Sequence, residues 1–195
     1  MPAPYGPKVV FIDTEFTGER QYTSLVSIAL CSLDGDELYL TFNDFDRRQV
    51  NTWLKQNVLS LIDNTQSIAR PEGAARVYDF LSSYSQGHKL YIVSAGLSLD
   101  MLLLYDLYGE IIGLEAGQCR FQDLPDYLKH NHGVDLNTLF RCAGYDPETT
   151  VRSDFAGESS ENRHNALVDV RVVRECFLKL LQSNEIERLW GTFSG

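Results

Sequence analysis

The run Lys8-Val9-Val10-Phe11-Ile12 drives straight into Asp13-Thr14-Glu15, and this join constrains the chain more than any other feature. Branched and aromatic apolar residues favour an extended strand. Side chains alternate along a strand, so Asp13 and Glu15 face the same way. Two like charges that close repel each other. A strand that simply ends in a polar loop would also carry acids here. The alternative is a cation between them, and a pair of oxygen ligands suits Mg²⁺ or Mn²⁺.

The rest of the chain reads as alternating β and α segments. Ser24 to Leu33 alternates small polar and apolar residues, Asp34-Gly35-Asp36 is a hairpin signal, and Glu37 to Phe42 is the return strand. Three antiparallel strands therefore open the fold. Val50, Leu54, Val58, Leu61 and Ile62 then form one helical stripe. Ala74, Val77, Tyr78, Leu81 and Tyr84 form a second, entered through Pro71-Glu72. Leu90 to Val93 is a short strand that follows a helix directly, which predicts a crossover and parallel pairing with the first strand. Ser98 stands where it would cap a helix over 99–108 that stops at Gly109. Residues 124–132 and 136–143 read as two short helices, and 145–162 as a polar, mobile loop. A strongly amphipathic helix runs from Asn165 to Gln182. A single domain is expected over 1–195, with 1–7 a loose leader and 183–195 a tail.

The net charge of −10 argues against a protein that coats nucleic acid through a broad basic surface, but not against one that grips a short stretch at a site. No apolar run reaches membrane length, and Met1 to Lys8 lacks an apolar signal core, so a cytoplasmic protein without membrane contact is expected. Cys31, Cys119, Cys142 and Cys176 are scattered, none at metal-ligand spacing, which fits reduced, buried thiols. The run Leu102-Leu103-Leu104 and Trp190 suit either the core or the face of a homodimer.

Two further carboxylates stand where apolar residues belong. Asp100 interrupts an apolar helix start, and Asp169 sits between Val168 and Val170 in the last long helix. A buried, unpaired carboxylate costs several kcal/mol unless it is neutralised or bound to a cation. Taken singly, each also fits a partly exposed helix position. His164 precedes Asp169 by five residues, a poor spacing for one helix face but a workable one if His164 lies in the loop just ahead of the helix. An imidazole there is suited to general-base work near neutral pH, though a loop histidine is also commonly just solvated.

Taken in order, Asp13-Thr14-Glu15-Phe16-Thr17-Gly18, then Asp100 at a helix start, then His164-x₄-Asp169, the sequence resembles the DEDDh group of 3′-5′ exonucleases. The resemblance covers Lys8 to about Leu181, and it is similar in particular to the small stand-alone exoribonucleases. It implies an α/β, ribonuclease-H-like fold, a mixed central sheet of three antiparallel strands and then parallel ones, flanked by helices. It implies two divalent cations, Mg²⁺ or Mn²⁺, held by Asp13, Glu15, Asp100 and Asp169, with His164 taking the proton from the attacking water. Thr14, Phe16 and Thr17 would line the terminal nucleotide, with Phe16 either stacked on a base or part of the core. The implied partner is the 3′ end of single-stranded nucleic acid, RNA ahead of DNA, and the product a nucleoside 5′-monophosphate. A DNA exonuclease of the proofreading or repair type is the alternative, and a catalytically silent binding module of the same fold a further one. One departure stands out. Many members carry Asn four residues before the second-motif Asp, where this chain has Gly96, so a contact is either lost or supplied from elsewhere. The position four before Asp169 holds Asn165 rather than Tyr, which favours the histidine form.

Overall fold

The apolar opening run becomes β1 (Lys8–Phe16), which carries on through Asp13 and Glu15 instead of ending at the first acid. β1 pairs antiparallel with β2 (Leu25–Ser32) and parallel with β4 (Leu90–Ser94). β3 (Glu37–Thr41) extends the antiparallel side and β5 (Gly133–Asp135) the parallel side, giving the order β3-β2-β1-β4-β5. The protein, seen as a computed structural model, is described over residues 8–128, 130–158 and 164–191. The expected leader and the last residues of the tail lie outside that range, as does 159–163 at the end of the expected loop.

Helices cover both faces of the sheet. On one, Val10 and Ile12 pack with α2 (Arg70–Ser85) and α3 (Leu97–Ile111) through Val77, Leu81, Leu103 and Leu107. On the other, Val9 and Phe11 meet α4 (Leu136–Cys142) and α6 (Ala166–Leu180) through Phe140, Val170 and Phe177. Phe11 and Phe177 stand edge to face at 5.3 Å, a favoured aromatic arrangement. A smaller cluster of Val26, Phe45, Leu54 and Val58 seats the short α1 (Thr52–Asn57). Gly73 in α2 lets the Phe42 ring come so close that an added Cβ would lie 2.3 Å from Phe42 Cε1, so only glycine fits there without displacing the ring.

Several local expectations are corrected by the structure. The stripe over 50–62 is helical only in α1, flanked by 3₁₀ turns at 47–49 and 59–61, and Leu61 is exposed. Ser98 does not cap α3. Gly96 is the N-cap, with no side-chain hydrogen bond. Gly109 does not stop α3 but lies buried inside it, where a Cβ would come within 3.3 Å of Cys119 Cβ. Residues 124–132 contain no α-helix among those described. Leu124 and Leu128 are buried at helical spacing, yet Tyr127 C=O accepts from Leu90 N–H at 2.8 Å, which ties the segment to β4. The chain then passes through a 3₁₀ turn into β5. The expected loop at 145–162 contains α5 (Arg152–Ala156). After α6 comes α7 (Asn184–Gly191), where a tail was expected. All four cysteines are free. Cys31 and Cys176 are buried as expected, but Cys142 is exposed. Leu103 and Leu104 belong to the core and Leu102 is partly exposed, while the Trp190 side chain falls outside the described residues. Among the described residues, no helix is long and apolar enough to cross a membrane.

Candidate active site

Alternation along β1 sorts its last residues between the two helical layers. Asp13 and Glu15 continue the Val9 and Phe11 face toward α6, while Thr14 and Phe16 continue the Val10 and Ile12 face toward α3. The ladder with β2 shifts register between Glu15 and Phe16, an irregularity that re-aims side chains at the strand end.

Each helical layer adds a carboxylate at a helix start. Asp100, in the first turn of α3, is 3% exposed. The Thr14 hydroxyl donates to its Oδ1 and the Ser94 hydroxyl to its Oδ2. Ser94 ends β4, and its Oγ in turn accepts from Gly96 N–H at 2.8 Å. A side chain at 96 is absent, and Ser94 supplies a contact to Asp100 from two residues earlier. Asp169 lies in the first turn of α6, which Asn165 caps by accepting from Leu167 N–H at 3.0 Å. Just ahead of that cap, His164 adopts φ of 68°, a left-handed conformation uncommon outside glycine. Its backbone N–H donates to Asp169 Oδ2 at 2.9 Å, which holds the turn. The His164 ring stands edge-on to Trp53 of α1, 5.0 Å between centroids. The poor five-residue spacing is thus resolved as a turn folded back onto the helix start.

Asp13, Glu15, Asp100, His164 and Asp169 all line one cleft of about 830 Å³. Glu15, His164 and Asp169 can each offer a ligand atom within 4.8 Å of the others. Thr14, Phe16 and Thr17 line it too. Phe16 is half-buried and packs on the first core cluster while bordering the cleft. The Thr17 hydroxyl is engaged internally: it donates to Gln49 Oε1 at 2.6 Å and accepts from Ser24 N–H at 2.9 Å. Thr14 spends its hydroxyl on Asp100. Trp53, Ser94 and Arg152 were missed in the sequence. Trp53 falls between the stripe positions of the 50–62 segment, Arg152 sits in a polar stretch with no periodic signal, and Ser94 shows only as the residue after an apolar run.

Burial first, and for Asp13 and Glu15 the neighbouring acids as well, hold these carboxyls toward the neutral form. Burial pushes Asp13 well above the usual carboxylate range, and the charges of Asp100, Asp169 and Glu15 push it further, against a smaller opposing effect of Arg152. Glu15 rises to about 8 through burial and the charges of Asp169 and Asp100. Burial raises Asp100 to about 6, held back by the donors Ser94 and Thr14. Hard oxygen donors that repel one another in a shared cleft fit a hard divalent cation, which removes both the repulsion and the need for protons. A consequence follows for stability. Glu15 binds its proton more tightly in the folded chain than at its ordinary value of 4.5, so its contribution is fully present below pH 4.5 and is lost as pH rises through about 8. Metal-free protein is therefore expected to lose melting temperature across that window, and added Mn²⁺ to restore it, most at the alkaline end. Melting curves with Mn²⁺ and with chelator across this pH range check this; a metal increment that does not grow with pH would count against it.

No family model matches the chain, and no curated protein does. Solved structures do. A 3′-exonuclease that recognises the histone mRNA stem-loop matches with a TM-score of 0.66 at 12% identity, over 94% of this chain and 85% of that one. Exonuclease I matches with a TM-score of 0.63 at 14% identity, over 95% of this chain and 43% of that one. The E. coli enzyme with a dT13 oligonucleotide matches with a TM-score of 0.63 at 12% identity, over the same shares. The chain thus spans less than half the length of exonuclease I. The fold is the α/β, ribonuclease-H-like fold of these 3′-exonucleases, a mixed sheet flanked by helices.

Proposed function

We propose that the chain is a divalent-metal-dependent 3′-5′ exonuclease that hydrolyses the terminal phosphodiester of a single strand and releases nucleoside 5′-monophosphates, with RNA the preferred substrate. The observation that carries this reading is the meeting of Asp13, Glu15, Asp100 and Asp169, from three separate elements, with His164 in one cleft. A silent binding module would have no use for that set of mutually repelling acids. The resemblance in motif order and the shared fold support the same reading.

In this scheme the four carboxylates hold two cations, Mg²⁺ or Mn²⁺, which supply Lewis-acid charge at the phosphate. Thr14 and Ser94 fix the Asp100 carboxylate from both oxygens. The backbone bond from His164 to Asp169 sets the imidazole at the cleft, where a ring nitrogen takes the proton of the attacking water. Phe16, Thr14 and Thr17, which line the cleft, would border the terminal nucleotide. The slight preference for RNA rests on the motif resemblance to the small stand-alone exoribonucleases, with a DNA exonuclease the alternative. The test is incubation of the purified protein with 3′-labelled single-stranded RNA and DNA of one sequence, with Mn²⁺ and with chelator. Metal-dependent release of labelled 5′-monophosphate, faster from RNA, is expected. Faster release from DNA would reassign the substrate, and no release from either would sink the enzyme reading.

A further inference from the structure

The acids of the cleft face little positive charge. Asp13, Glu15, Glu19, Asp100, Glu148 and Asp169 line it, and among the described lining residues Arg152 is the one Lys or Arg. Its guanidinium is tethered rather than free to swing: Nη2 donates to Asn137 Oδ1 at 3.3 Å, and Asn137 Nδ2 donates to Ala95 C=O at 2.8 Å, next to the N-cap of α3. Yet Arg152 Nε is buried and has no acceptor among the described residues, and the buried Ser153 Oγ beside it has no partner either. Arg152 and Ser153 both line the cleft, and each keeps a buried polar atom without a partner among the described residues, although buried donors are normally satisfied. Arg152 lines the same cleft as Asp13, Glu15, Asp100 and Asp169.

A guanidinium presents a planar fork of donors that matches phosphate oxygens. We propose that Arg152 receives a phosphate oxygen of the bound strand end and of the released 5′-monophosphate. This rests on the exonuclease reading and adds the group that draws a polyanion into a cleft of acids. The competing role is structural: Arg152 as counter-charge to the acids and link between α5 and the 95–96 turn.

Calorimetric titration of the full chain in Mn²⁺ with adenosine 5′-monophosphate and with adenosine separates the two. For the wild type, the monophosphate should bind more tightly than the nucleoside. Arg152→Gln should lose about 10- to 100-fold in monophosphate affinity, the size of a lost charge-assisted hydrogen bond, with adenosine and Mn²⁺ affinities kept. Arg152→Lys retains the charge but not the fork and should fall between the two; it also serves should the Gln variant fail to fold. A structural role alone would lower the melting temperature and leave the preference for the monophosphate over the nucleoside unchanged. Variants that bind the monophosphate as the wild type does, or a wild type that cleaves strands without preferring the monophosphate, would overturn the assignment of Arg152 alone. A wild type that neither cleaves nor binds the monophosphate would overturn the exonuclease reading itself.

Discussion

Replacing Asp13 by Asn is expected to abolish metal-dependent digestion of a 3′-labelled strand while leaving the folded chain at least as stable in the absence of metal. Asp13 stands at the centre of the repulsion: Asp100, Asp169 and Glu15 all push its carboxyl toward the protonated form, after burial has done so first. An Asn side chain is close in shape and carries no charge, so the metal-free protein loses a source of strain rather than a support. What it cannot do is balance a divalent cation. Removal of a single preorganised electrostatic group costs on the order of 10²- to 10³-fold in kcat, and a charged ligand at the reacting centre sits at or beyond the upper end of that range. The measurement is initial rate in Mn²⁺ beside melting temperature in chelator. A variant within about tenfold of wild-type rate would remove Asp13 from the mechanism, and a variant that melts far lower without metal would show the acid to be a structural support.

The second large effect is expected at His164, and here the variant matters. The residue sits at φ of 68°, where most side chains are strained. Asn tolerates that region better than Ala, so His164→Asn tests the imidazole with the least disturbance to the turn. The backbone N–H that binds Asp169 Oδ2 is kept in the variant. Loss of a general base costs about 10²- to 10⁴-fold in rate. The tight grouping of His164 with Glu15 and Asp169 raises a second role, as a metal ligand. The two roles part in one experiment. If His164 is the base, Mn²⁺ affinity by calorimetry stays near wild type while kcat collapses. If it is a ligand, affinity and rate fall together.

Much of the frame was legible in the sequence because its signals are local. The strand β1, the hairpin at Asp34-Gly35-Asp36, the crossover into β4 and the helix α6 each announce themselves through alternation, turn chemistry or a helical stripe. The three acidic motifs stand out for the same reason: each breaks an apolar pattern that packing alone would have continued. Two of the elements that escaped are too short to have a period. β5 has three residues and α5 five, and each is held by its neighbours rather than by its own pattern. The segment before β5 misled for a related reason, since Leu124 and Leu128 are buried at helical spacing while the backbone bond from Leu90 to Tyr127 takes it elsewhere.

By itself, then, the chain's sequence determined which residues were out of place and in what order they occur, because strand and helix periodicity are properties of neighbouring residues. Tertiary structure alone decided what those residues face. It brought Asp13 from one layer of the sheet, Asp100 from the opposite layer and Asp169 from a helix more than 150 residues further along than Asp13 into one cleft, set two hydroxyls against Asp100, turned His164 back on Asp169 and left Arg152 as the one described cation on the wall. The protonation of each acid depends on how near the other three lie and how much water reaches them, and both are distances in space that no local pattern records.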